Sequence, residues 1–383
     1  MKLSFLLKRS LVAILLISGL SAPKQINAQL AAKPGDPKIQ VAILLDVSNS
    51  MDGLIEQAKA QLWNMVSVMG RAKCMAKTPS IEIALYEYGR DNNDVKKGYI
   101  KQINPFMADL DVLSQNLFKL TTFGGSEYCG QVILTSLDEL QWDNNAATYK
   151  VIFIAGNEDF LQGTVQYTEA CTKAKQKGVI VNTIYCGDRM QGIREHWNLG
   201  GECGNGSFTN INQNERIQDP PTPYDTTIIA LNSQLNGTYL YYGEVGVAGY
   251  GRQKEMDQAN ASMSVGVGAK RAAVKADGRV YNNAGWDLID RFQSDSSYIA
   301  TVDMKTLPDS LQNKSRAELK KVVDEKTKER ASIQRQIIDL NTQRDKFIST
   351  EKARNAGNAG ATLETEVEKI IKEQAKRYNM VIE

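Results

Sequence analysis

Asp46, Ser48 and Ser50 stand two residues apart at the end of an unbroken apolar run, Val41-Ala42-Ile43-Leu44-Leu45. Such a run reads as a strand buried on both faces. The loop leaving it can turn one carboxylate and two hydroxyls toward a single point. Donors that are all oxygen suit a hard divalent cation, Mg2+ first, with Mn2+ or Ca2+ as alternatives. The same residue types also suit a hydrogen-bonded turn capping a following helix. Other chemistry is thinly supplied. The chain holds one histidine, His196, and five cysteines, Cys74, Cys129, Cys171, Cys186 and Cys203. Their spacing matches no zinc pattern, and their odd number leaves at least one thiol unpaired within a single chain. A chain of this length needs no disulfide to fold. Cys129 reads as a small buried residue and His196 as structural. With no placed general base, phosphate loop or nucleophile elbow, the sequence reads as non-enzymatic; a metal-assisted hydrolase is the outlying alternative.

The elements that must position these residues follow from periodicity. After the strand Gln40–Leu45, residues Leu54, Ile55, Ala58, Leu62, Val66 and Met69 recur at helical spacing, which predicts a helix over 53–70. Further strands are expected at Ile81–Tyr88, Gly98–Phe106, Lys150–Ala155, Val179–Tyr185 and Ser207–Ile211. Helices are expected at Leu110–Leu120, Cys129–Gln141, Tyr167–Lys177 and Ile193–Leu199. This alternation implies an α/β fold, a doubly wound and mostly parallel sheet flanked by helices. In such sheets ligands sit beyond the carboxyl ends of the strands, where Asp46 lies.

An all-α C-terminal region follows. Asp219-Pro220-Pro221-Thr222-Pro223-Tyr224 marks a stiff boundary, and Asp225 is expected to cap a helix that Asn236-Gly237 ends. The glycine-rich stretch 243–251 leads into one helix over Gln253–Lys275, and Ala284–Phe292 forms another, with Trp286 in a core. Leu319, Val323, Ile333, Ile337, Leu340 and Phe347 fall on a heptad seam of coiled-coil type. Lys326, Arg330 and Arg344 interrupt it, so a long amphipathic helix is expected rather than an independent coiled coil. Lys326, Lys328, Arg330 and Arg335, balanced by Asp324, Glu325 and Glu329, read as a solvated face. A joint at 355–360 and a last helix bearing Leu363, Val367, Ile370, Ile371, Gln374 and Tyr378 make a helical hairpin. The domain plan is therefore 1–28 signal peptide, 38–212 α/β domain, 213–310 helical extension packing on or beside it, and 313–383 long helix and hairpin.

The signal peptide rests on Lys2, Lys8 and Arg9, the apolar core Ser10–Ala22 and a cleavage site at Ile26-Asn27-Ala28. That core is too short for a membrane span of about 20 residues. The mature chain is thus expected to be exported, periplasmic or secreted, with no integral span. Losing Lys2, Lys8, Arg9 and Lys24 with the peptide takes the formal charge from +2 to −2. So balanced a chain makes no electrostatic case for nucleic acid or an anionic membrane as partner.

The stretch Asp46-Val47-Ser48-Asn49-Ser50-Met51, placed after a buried strand and before an amphipathic helix, resembles the von Willebrand factor type A family. It matches that family's Asp-x-Ser-x-Ser signature of the metal-ion-dependent adhesion site, and the resemblance covers about residues 38–212. The family's second ligand loop supplies a threonine after a Gly-Gly-like turn; here Gly124-Gly125 precede Ser126 at that position, with Glu127 beside it. The third loop usually carries an aspartate, and this chain has Gly156 there, followed by Asn157, Glu158 and Asp159. The resemblance implies a cation held by Asp46, Ser48, Ser50, Ser126, Glu127 and Glu158, over which an unidentified protein partner docks. A metal-independent envelope scaffold acting through the C-terminal helices is the alternative. Ala155-Gly156-Asn157-Glu158, Val181–Gly187, Pro221–Asp225 and Leu235–Tyr239 further resemble exported bacterial proteins of this type with a helical extension.

Overall fold

The computed structural model describes residues 36–74, 77–212, 219–354 and 363–382; the signal-peptide reading and the joint at 355–360 fall outside them. Eight strands are present among them: β1 Lys38–Asp46, β2 Ala72–Cys74, β3 Ser80–Tyr88, β4 Lys101–Met107, β5 Tyr149–Gly156, β6 Ile180–Cys186, β7 Asn205–Ile211 and β8 Met380–Ile382. Around them lie α1 Asp52–Gly70, α2 Leu110–Lys119, α3 Cys129–Glu139, α4 Tyr167–Lys177, α5 Arg189–Arg194, α6 Trp197–Cys203 and α7 Asp225–Asn236. The remaining helices are α8 Gly243–Met263, α9 Val265–Ala276, α10 Leu288–Ser294, α11 Tyr298–Thr301, α12 Asp309–Gln312, α13 Arg316–Arg354 and α14 Leu363–Ala375.

The main sheet has six strands in the order β4-β3-β1-β5-β6-β7. β1 pairs in parallel with β3 and β5, β5 with β6, and β6 with β7; only the edge strand β4 runs antiparallel. The doubly wound, mostly parallel sheet expected from the alternation is therefore present. Side chains alternate across β1: Ile39, Val41 and Leu45 join the core beneath α1, while Ala42 and Leu44 join the core against α3. Covered on both faces, the strand carries no polar alternation until Asp46. The order in which successive strands are added reverses between β1 and β5, and the crevice at such a switch point is where this architecture binds ligands.

The helical region differs from expectation in several places. The glycine-rich stretch is the first half of α8, where Gly249 leaves room for the Trp286 ring and Gly246 packs closely on Tyr241 and the Trp286 carbonyl. The expected single helix is two, broken at Ser264, whose extended backbone (φ −166°) lets its hydroxyl accept from Val267 N and start α9. The helix expected over Ile193–Leu199 is likewise split into α5 and α6 at His196, which adopts φ +65°. Asp225 lies inside the first turn of α7 rather than at its cap, and pairs with Arg344 at 2.7 Å.

The largest correction concerns the seam arginines of α13. Arg330 is buried rather than solvated. Its guanidinium meets Asp287 and Asp290 at 2.7 Å each, donates to the Thr238 hydroxyl and lies over the Tyr239 ring at 4.0 Å. Arg344 is buried beside Asp219 and Asp225 in the same way. Residues that break a coiled-coil seam thus fasten α13 to α7, α9 and α10. A second buried network, Arg271 with Asp111 and Asp257 and Lys275 with Asp257, fastens α9 and α8 to α2.

α13 and α14 do not form a mutually packed hairpin; α13 lies on α7 and α9, and α14 on α1. Leu363, Val367, Ile370, Ile371 and Ala375 share the core of β1 and α1. Gln374 exchanges hydrogen bonds with Asn182 of β6 and accepts from Tyr149 of β5. β8 then pairs antiparallel with β2. The last helix covering the sheet is therefore supplied from beyond the helical insertion.

Candidate functional site

Parallel register sets Asp46 opposite Tyr88, and Leu45 opposite Ala155, so the ends of β1, β3 and β5 meet at one edge. Three loops close over it. Phe123 N donates to Val47 O at 2.8 Å and Asn49 N to Gly124 O at 3.1 Å, which ties the loop before α3 to the loop after β1. Gly125 N donates to Asp91 Oδ1, which draws in the loop after β3.

Within this edge Asp46 is fully buried and accepts from Ser48 N at 2.8 Å through Oδ1. Its second oxygen, Oδ2, is buried with no hydrogen-bond partner. Glu127, 2% exposed, turns inward and also keeps one buried oxygen, Oε2, without a partner. The two carboxyl groups converge over Gly89, where an added Cβ would stand 2.9 Å from Asp46 Oδ1 and 3.0 Å from Glu127 Cγ. The Ser48 hydroxyl lies 3.3 Å from that of Ser50, which donates to Asn157 Oδ1. Burial, then repulsion from Glu127 and Glu158, pushes the Asp46 carboxyl up to about 7 against the pull of the Ser48 bonds. Glu127 rises to about 7 as well, mainly through burial, with Glu158 and Asp91 adding negative potential.

Four of the expected residues thus come together: Asp46, Ser48, Ser50 and Glu127. Glu158 is exposed at the rim and acts on the pair through space. Ser126 is half-buried beside Glu127, and no hydrogen bond joins it to the cluster. Among the described residues no group of three or more histidine, cysteine, aspartate or glutamate side chains forms a metal cluster. The donor set is two carboxylates with flanking hydroxyls.

Gly156 is more than an absent aspartate. A Cβ there would stand 2.6 Å from the Tyr88 hydroxyl and 3.0 Å from Asp46 Oδ2. Tyr88 is fully buried and donates to Ala155 O at 3.0 Å, so the phenol occupies the space a third-loop side chain needs. Sequence reading missed Tyr88; the strand periodicity that places it in a core carries no sign of what it excludes. Cys129 lies buried 3.9 Å from that phenol, and burial pushes its thiol well up, which disfavours the thiolate. Cys171 and Cys203 form a disulfide with Cα atoms 5.7 Å apart, while Cys74, Cys129 and Cys186 are free thiols. His196 Nδ1 contacts Asp159 at 3.0 Å, beside the buried Trp197.

The sheet order, the antiparallel edge strand and an oxygen-lined edge where the strand order switches sides make this a doubly wound α/β domain. No family model matches the chain, and no curated protein matches it. Among solved structures, it is similar to an aerotolerance-related membrane protein from Bacteroides fragilis at 15% identity and TM-score 0.33, over 46% of this chain and 93% of that one. The SpRpn10 VWA domain matches at 15% identity and TM-score 0.33, over 49% of this chain and 90% of that one. Proximal thread matrix protein 1 from the mussel byssus, solved with a zinc-occupied MIDAS motif, matches at 13% identity and TM-score 0.33, over 46% of this chain and 42% of that one.

Proposed function

We propose that this chain is an exported, non-enzymatic protein-binding module that docks a partner over a divalent cation at the strand-end edge. One observation carries the cation: two carboxylate oxygens, Asp46 Oδ2 and Glu127 Oε2, are buried without a partner beside the hydroxyls of Ser48 and Ser50. A buried carboxylate without a partner is costly, and a cation relieves two at once. Mg2+ suits the set because it keeps several waters and uses one or two carboxylates. Glu127 stands in for the aspartate that Gly156 and Tyr88 exclude. Glu158 would act from the rim, and Ser126 would join only by turning inward.

Exposed apolar side chains support docking at the same edge. Phe123 and Leu161 flank the site, with Val95 on the 3-10 turn after β3 and Met190 and Ile193 on α5, which follows β6. The competing scaffold reading loses support because α13 and α14 spend their apolar faces inside the molecule. The Cys171–Cys203 disulfide supports export, since such bonds persist in oxidising compartments. Among the described residues no helix is long and apolar enough to cross a membrane.

Titration of the purified chain with MgCl2 or MnCl2, followed by calorimetry, tests the cation. Binding in the wild type and none in Asp46→Ala is expected. Equal heats from both proteins would show that the ion does not sit at this edge.

A further inference from the structure

The electrostatics of the strand-end face point to the chemistry of its partner. The acids are concentrated at its centre. Asp46 and Glu127 are 0% and 2% exposed with one orphaned oxygen each, and Glu158 and Asp91 add negative potential at Glu127 from the rim. Asp159 stands next in the same loop as Glu158, its carboxylate contacting His196. Three arginines near this edge are engaged elsewhere. Arg90 pairs with Glu87 at 3.3 Å and donates to Thr121, Arg189 lies over the Phe208 ring, and Arg194 bonds to Gln191. Lys96 and Lys97 are exposed on a short 3-10 turn in the loop after β3.

A divalent cation would balance Asp46 and Glu127 and nothing more. Glu158 and Asp91 would still face outward without a cationic partner, and Asp159 would have only His196 beside it, so an acidic partner would bring like charge to a partly desolvated surface. Like charges juxtaposed at an interface disfavour the wrong partner. The apolar contacts lie within reach of the same acids. Phe123 is 51% exposed one residue before Gly124, which packs on Asp91. Leu161 is 41% exposed two residues beyond Asp159, and its backbone N donates to that carboxylate at 3.0 Å. Gly163 presses on the Tyr128 ring beside Glu127, which closes the rim between them.

We propose that this face receives a basic, apolar-flanked peptide segment, its lysine or arginine side chains pairing with Glu158, Asp159 and Asp91 and its apolar side chains packing on Phe123 and Leu161. The inference rests on the reading of this edge as a docking surface. It holds with or without the ion, because the rim acids are the same in both states.

The test uses the full chain and three fluorescein-labelled nonapeptides that alternate leucine with lysine, glutamine or glutamate, measured by fluorescence anisotropy in MgCl2 and in EDTA. The lysine peptide is expected to bind about tenfold more tightly than the glutamine peptide and to weaken as salt rises. The double variant Glu158→Lys, Asp159→Lys should lose about that tenfold, and Phe123→Ser a few-fold, while Asp339→Lys on the exposed side of α13 changes nothing. Circular dichroism checks that each variant is folded. A preference for the glutamate peptide in MgCl2 would overturn the inference yet leave docking at this edge standing. Lysine and glutamine peptides binding alike, or a lysine peptide indifferent to the Glu158→Lys, Asp159→Lys pair, would overturn it as well.

Discussion

Replacing Asp46 with asparagine isolates the energetic cost of the buried carboxylate, because the amide oxygen still accepts from Ser48 N. In the native chain burial raises Asp46 from 3.8 to about 7. Between those values the folded protein holds a proton that the unfolded chain releases, so stability falls as pH rises through the window and is level above it. A pKa unit is worth about 1.4 kcal/mol, which makes the loss about 3 kcal/mol between about pH 5 and pH 8. Asp46→Asn does not titrate, and its stability should follow a shallower slope by one proton, ending above the wild type at the alkaline end. Urea unfolding in EDTA at several pH values measures both curves. MgCl2 at about a hundred times its dissociation constant should then return about 2.7 kcal/mol to the wild type above pH 7 and nothing to Asp46→Asn. Parallel pH curves for the two proteins would refute the reasoning, since they would mean that Asp46 is neither protonated nor strained by its surroundings.

Three further outcomes are expected. Gly156→Ala should destabilise the protein by about 1–3 kcal/mol through overpacking against Tyr88, and by less in a Tyr88→Phe background, as thermal unfolding of the four proteins would show. Arg330→Ala should cost about 3–5 kcal/mol by leaving Asp287 and Asp290 buried and unpaired, and hydrogen exchange should show α13 loosening before the sheet. Replacing Cys171 and Cys203 by serine should lower stability by about 3–4 kcal/mol for a loop of 32 residues, and reductant should then have no further effect on urea unfolding.

The α/β half was legible almost residue by residue. The helix expected over 53–70 is α1, and Tyr167–Lys177 matches α4. Both faces of the sheet are covered, so buried positions repeat at intervals that a single sequence displays. The helical half was harder to read. Gly243–Gly251 looks like a linker until Trp286 is placed against Gly246 and Gly249. Arg330 and Arg344 look like solvated or seam-breaking charges until their aspartates arrive from segments far away in the chain.

The sequence alone determined the edge on which to look: an apolar strand ending in Asp46, Ser48 and Ser50 can present its oxygens only beyond the sheet. It also displayed Gly156 and Glu127, without ranking them. The tertiary structure decided which acid completes the pair. Strand register sets the Tyr88 hydroxyl where a side chain at position 156 would go, and loop packing over Gly89 turns Glu127 inward. Both are matters of volume between residues far apart in the chain, and short-range periodicity carries no record of that volume.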